Sequence, residues 1–205
     1  MPPLLCAGIT VYAPLKRYQK IGAKCAIIGI GGLGHVAIQF ANKLGMIVTA
    51  FTTKINNVDS LKQLGANDIQ NSTNLEELAN NEGKYDIVLS TLFIDNPVLY
   101  KLHQRLTKPQ GVHIMVGIPD NDAIYKIDND YLINNEITIA GSNVGSINEV
   151  KEMLQFIASY GIKSINEYFS FDNLPKAFHR AEKENPKYRA VVNVTDWARN
   201  NGFDK

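Results

Sequence analysis

The strongest constraint on this chain is a passage of about twenty residues with three successive patterns. A continuous apolar run at 25–30 meets the cluster Gly29-Ile30-Gly31-Gly32-Leu33-Gly34, and apolar residues then recur at Val36, Ala37, Phe40, Ala41 and Leu44. An unbroken apolar run is what a strand buried on both faces requires. The recurrence after it is helical, and Gly45 stands where the residue after a helix favours glycine. A strand that enters a helix through glycines points to an α/β chain with a parallel sheet covered by helices.

The alternation continues to residue 142. Strands are expected at 46–51, Asp68–Asn71, Tyr85–Ser90, 111–116 and 136–140, with helices at 58–64, 75–81 and 98–106. The result is a doubly wound, six-stranded parallel sheet. The connection of about twenty residues before the sixth strand is long for such a fold. Beyond Gly145 the rhythm changes to helices at Ile147–Tyr160 and 174–184 and a strand at 188–194.

The glycines match G-x-G-x-x-G in the context that gives the pattern meaning, directly after a strand and opening a helix. Gly29 permits a tight turn, Gly31 lets a ligand approach the backbone, and Gly34 lets helix and strand pack closely. With Gly32 and Leu33 between them, they put a helix N-terminus, with its free N–H groups and partial positive charge, where a dinucleotide pyrophosphate binds. The alternative is a glycine-rich turn without a ligand.

In NAD-binding domains an acid about 20 residues past the glycines holds the ribose 2′-OH. Here the second strand ends in Thr52, Thr53 and Lys54, with no acid before Asp59. Hydroxyls and a lysine suit a 2′-phosphate, which a carboxylate repels. The expected cofactor is therefore NADP(H).

A formal net charge of +1 gives no electrostatic footprint for nucleic acid or an acidic membrane surface. No uncharged apolar run is long enough to span a bilayer, and the apolar start lacks a basic leader region, so a cytoplasmic location is expected. Two cysteines, Cys6 and Cys25, make no disulfide framework. Asn doublets at 56–57, 80–81, 134–135 and 200–201 fall where turns or helix ends are expected. The opening Met1-Pro2-Pro3-Leu4-Leu5-Cys6 runs straight into an apolar helical pattern, from which an upstream segment is expected.

Several runs carry a family resemblance: Pro3-Leu4-Leu5-Cys6-Ala7-Gly8-Ile9-Thr10-Val11-Tyr12, residues 29–35, Leu64-Gly65-Ala66, Gly141-Ser142-Asn143-Val144-Gly145 and Tyr188-Arg189-Ala190-Val191-Val192. Through them the chain resembles the zinc-containing medium-chain alcohol dehydrogenases, in particular the NADP-dependent cinnamyl alcohol dehydrogenase branch. The resemblance implies three segments: the end of a GroES-like catalytic lobe at 1–6, an NADP-binding Rossmann domain at 7–144, and a C-terminal return of the catalytic lobe at 145–205. It also implies a small alcohol or aldehyde substrate, hydride transfer to the nicotinamide, and a homodimer as one assembly.

By the same resemblance, Cys6 stands at a zinc-ligand position, while the partner ligands and the structural-zinc cysteines lie in segments this sequence does not contain. Zinc thus belongs to the full-length family and is not expected to be held by this chain alone. Ser90, Thr91, Val116, Gly117, Ile118, Ser142, Asn143 and Val144 fall at strand ends beside the cofactor. Asn56 and Asn57 occupy the approximate place of a family lysine, for which Lys54 substitutes. His35 is expected to pack near the glycine turn, and His103, His113 and His179 to be structural or on the surface. Two other readings stay open: a catalytically inactive dinucleotide-binding module, and a zinc-independent NADPH reductase of the same superfamily.

Overall fold

The computed structural model describes residues 2–94, 96–118, 126–183 and 186–203. After a short 3-10 turn at Pro2–Leu5, helix α1 (Ala7–Arg17) leads to β1 (Lys24–Ile28), α2 (Gly34–Lys43), β2 (Ile47–Thr52), α3 (Val58–Gln63) and β3 (Asp68–Asn71). Then come α4 (Leu75–Asn80), β4 (Tyr85–Ser90), α5 (Pro97–Arg105), β5 (Thr107–Met115), α6 (Asn129–Asn134) and β6 (Thr138–Gly141). The chain continues through α7 (Ile147–Tyr160), β7 (Asn166–Ser170), α8 (Leu174–Lys183), β8 (Arg189–Asn193) and α9 (Thr195–Asn200).

The first six strands form one parallel sheet in the order β3-β2-β1-β4-β5-β6. Strand alternation divides β1 between two apolar layers. Cys25 and Ile27 face a core made with Ile9, Tyr12 and Leu15 of α1, Val36 and Phe40 of α2 and Met153 and Ile157 of α7. Ala26 and Ile28 face a smaller core with Phe51, Leu78, Val88 and Leu106. The chain leaves β1 toward β2 on one side and resumes at β4 on the other. The strand order therefore reverses between β1 and β4, and the carboxyl ends of strands at such a switch point are where open parallel sheets take ligands.

The six-stranded α/β expectation holds, with shifted ends. β1 stops at Ile28, two residues before the apolar run does, because Gly29 turns the chain with φ +88°. The long connection before β6 contains α6, and α9 is a further short helix that the apolar pattern does not announce. The expected helix at 174–184 is found at Leu174–Lys183, and Glu184 lies outside the described residues. All four Asn doublets fall in a 3-10 turn or at a helix end. Asn74 and Asn96 cap α4 and α5, each accepting two backbone N–H bonds.

Beyond β6, Ser146 and Glu149 form a reciprocal cap on α7, which ends at Gly161 in the left-handed conformation. β7 and β8 then make a separate two-stranded parallel sheet, and β7 is a strand the sequence reading does not anticipate. Helix α8 is tied to the pair where Glu167 accepts from Arg180 Nε (2.7 Å) and Nη2 (2.9 Å) and from the Lys187 backbone (2.7 Å). Those bonds hold the Glu167 carboxyl down at about 2, the Arg180 guanidinium being the largest cause.

Candidate cofactor site

The glycine turn sits at the end of β1, where Gly29 N donates to Phe51 O (3.0 Å) and closes the ladder with β2. Only glycine fits at 29, since a Cβ would strike Leu92 and Thr91 Oγ1. Only glycine fits at 34, where a Cβ would run into the Gly29 carbonyl oxygen, so helix and strand approach as closely as the motif requires. Gly31 is different. A Cβ there meets nothing within 4 Å, so its backbone faces open space. Leu33 precedes α2 without a side-chain cap, and the first turn of a helix leaves N–H groups without intrahelical partners. The His35 and Val36 amides are taken by Gly31 O (3.2 Å) and Leu33 O (3.1 Å), so the geometry presents the Gly34 amide and the positive end of a ten-residue helix to an anion.

A further cation reaches the turn from 157 residues away in sequence. Arg189, the first residue of β8, donates from Nε to Gly32 O (3.2 Å), and a Cβ on Gly32 would lie 2.5 Å from that nitrogen. The guanidinium thus lies directly over the Gly32 backbone, in the space a side chain at 32 would take. Sequence reasoning missed Arg189 as a site residue, because no motif spacing links the two positions.

The other expected residues collect on the same rim. The Thr91 hydroxyl lies 2.7 Å from Gly29 O and 3.1 Å from Ile28 O and donates at the first bend of the turn. Ser90 Oγ donates to Leu92 O (3.4 Å), and Ser90 O accepts from Val116 N (3.0 Å). Val116 is buried and Ile118 exposed, while Gly117 lets the chain pass the Leu92 carbonyl, which a Cβ would meet at 2.7 Å. At the end of β6, Ser142 N donates to Met115 O (3.0 Å); Asn143 and Val144 are exposed, and Val144 has φ 46°.

At the end of β2, Thr52 is buried and its Oγ1 accepts from Lys54 N (3.1 Å), which leaves its own hydrogen free to donate. Thr53 and Lys54 are exposed, and Asp59 lies in the following helix α3. No carboxylate stands at the strand end itself.

His35 packs beneath the turn, as the sequence suggests. Its Nδ1 lies 2.8 Å from Gly31 O, Nε2 accepts from Ile165 N (3.2 Å), and the ring stacks on Tyr188 at 4.5 Å. Burial pushes it down to about 4 against the pull of the Gly31 carbonyl, and Arg189 lowers it further. His103 is buried against Ser72 O (2.9 Å), His113 is buried between β5 and the Tyr100 ring, and His179 is exposed on α8.

Cys6 is exposed at the start of α1 and Cys25 is buried in β1, where burial pushes its thiol up. Among the described residues no three His, Cys, Asp or Glu side chains gather where they could hold a metal ion. Catalytic zinc needs three protein ligands and an open position, so the residues here do not fit the zinc that the resemblance implies. A cleft of about 470 Å³ lies between α5 and the start of α6, lined by Val98, Leu102 and the Lys101–Asp128 pair. Among the described residues, no helix is long and apolar enough to cross a membrane.

The architecture is similar to that of known proteins. A cinnamyl alcohol dehydrogenase from Sorghum bicolor is 31% identical with a TM-score of 0.85, over 94% of this chain and 54% of that one. The CAD from Helicobacter pylori complexed with NADP(H) is 26% identical with a TM-score of 0.81, over 94% of this chain and 54% of that one. An acetophenone reductase from Geotrichum candidum in complex with NAD is 28% identical with a TM-score of 0.80, over 95% and 55%. The chain spans about half the length of the curated relatives it matches, 54% of dehydrogenases and an aldehyde reductase to which it is 36–38% identical. The family described as zinc-binding dehydrogenase matches residues 32–159, and this chain belongs to that family.

Proposed function

We propose that this chain is the dinucleotide-binding part of an NADP(H)-dependent alcohol dehydrogenase that interconverts a small alcohol and its aldehyde. In this reading residues 7–144 form the binding domain, and 1–6 and 145–205 belong to a catalytic lobe. The observation that carries it is the arrangement around Gly31 and Gly32: open backbone at Gly31, an α2 terminus without a side-chain cap, and the Arg189 cation beside them.

The residues divide the work by position. Gly31, Gly32, Leu33 and Arg189 receive the pyrophosphate, and Gly29, Gly34 and Thr91 hold the turn in the shape that allows it. Thr52, Thr53 and Lys54 receive the 2′-phosphate. The rim at Val116–Ile118 and Ser142–Val144 lines the path of the nicotinamide half. When bound, the dinucleotide supplies or accepts the hydride. Among the described residues no side-chain cluster could hold a zinc ion, and in this reading the chain acting alone binds cofactor without turning over alcohol.

Titration calorimetry with NADPH and NADH tests this directly. A charge-assisted contact to the 2′-phosphate favours NADPH by roughly tenfold or more. Equal or tighter binding of NADH contradicts the NADP assignment, and no binding of either contradicts the dinucleotide reading itself.

A further inference from the structure

We propose that His35 and Gln39 are positioning residues that couple the glycine turn to the strand pair β7–β8, so that dinucleotide binding and seating of that pair reinforce one another. The proposal rests on the reading of the turn as a dinucleotide site.

The coupling is built from hydrogen bonds that settle the tautomer of His35. Ile165 N can only donate, so the Nε2 it meets at 3.2 Å is the unprotonated nitrogen. Nδ1 therefore carries the hydrogen and donates to Gly31 O at 2.8 Å. The same carbonyl accepts from the backbone N of His35 (3.2 Å), so the peptide group beside the open face of the turn is held twice. The ring is fully buried, and burial keeps it in this neutral, accepting form at pH 7.

One helical turn further on, Gln39 grips the same segment. Its Nε2 donates to Lys163 O (2.8 Å) and to His35 O (3.1 Å), and its Oε1 accepts from Lys163 N (3.1 Å). The three bonds to Lys163 and Ile165 seat the chain immediately before β7. On the other strand, Tyr188 stacks on the His35 ring and donates from its backbone N to Ile165 O (3.1 Å), and Arg189 follows it onto Gly32. Both strands thus begin at the turn, and His35 touches the start of each.

Linkage makes the consequence reciprocal. If the seated strand pair holds the turn in its binding shape, a ligand on the turn must stabilise the seated pair by the same factor. The amide of Ile165, which exchanges with solvent only when its bond to His35 opens, reports that seating.

The test measures hydrogen exchange at the Ile165 amide with and without saturating NADPH, beside the NADPH Kd, in the wild-type chain and in His35→Asn and Gln39→Ala. Asparagine keeps a donor near the Nδ1 position but cannot reach Ile165. Exchange at Ile27 in β1 serves as the control for the fold. In the wild type, NADPH slows Ile165 exchange about tenfold, a coupling of ordinary size. In both variants the slowing falls below about twofold and the Kd rises by a similar factor, with Ile27 unchanged. NADPH binding that leaves wild-type Ile165 exchange unaltered overturns the coupling while sparing the cofactor reading. Full slowing in His35→Asn also overturns it, because the ligand then covers Ile165 directly. Failure of the wild type to bind NADPH overturns both.

Discussion

In the six-stranded sheet, β1 buries every residue after Lys24 and β4 all but Asp86, whereas every residue of β7 and β8 stays at least partly exposed. The same chain thus builds one sheet with apolar layers on both faces and another in which Tyr168 of β7 stands 70% exposed, beside Phe178 of α8 at 68%. The first sheet is held by burial, which scales with apolar area. The strand pair adds to a few apolar contacts, Ala177 and Tyr188 among them, a set of directed polar ones: Glu167 to Arg180 and Lys187, and the tethers to His35, Gln39 and Gly32. The residues proposed to receive the dinucleotide lie where the two meet.

The comparison is broken most severely by removing an aromatic from each region. Phe51 is fully buried between β2 and the second core layer, so Phe51→Ala is expected to cost about 3–5 kcal/mol in urea unfolding. Phe178→Ala, on the exposed face of α8, is expected to change stability by less than about 0.5 kcal/mol. Similar losses from the two would show that the strand pair is as deeply anchored as the sheet.

Acid gives the next largest effect per residue and touches both regions. Burial depresses His35 at the junction and His113 in β5 to about 4, from an ordinary 6.5. Between those values each binds more protons unfolded than folded, so stability is full above pH 6.5 and falls as pH drops toward 4. The loss is on the order of 3 kcal/mol for each histidine at most. The stabilised carboxylates Asp86, Asp128, Glu149 and Glu167 give up their contribution below their ordinary range, at more acid pH. Urea midpoints measured between pH 7.5 and 4 check the window, and a flat profile above pH 4.5 contradicts it.

The same contrast decides what was legible in the sequence. Strands buried on both faces declare themselves as apolar runs, so β1 and β4 are plain, and the glycines at 45 and 65, with φ of +84° and +109°, mark the ends of α2 and α3. β7 reads Asn-Glu-Tyr-Phe-Ser; half-exposed on both sides and paired with a strand still to come, it has no apolar periodicity to betray it. At six residues each, α6 and α9 are too short for a helical period to stand out. The glycine motif announces the turn, yet Arg189 joins it only through tertiary folding, and the expected contact residue Thr91 turns its hydroxyl onto the turn's own backbone.

The most direct test of the central claim, that the turn exists to bind a dinucleotide, is Gly31→Ala. An added Cβ at 31 meets nothing within 4 Å, so the melting temperature should match the wild type, while the methyl group occupies the space a pyrophosphate needs. NADPH affinity measured by calorimetry is then expected to fall at least about tenfold with the fold intact. A Gly31→Ala chain that binds NADPH as tightly as the wild type would contradict the account.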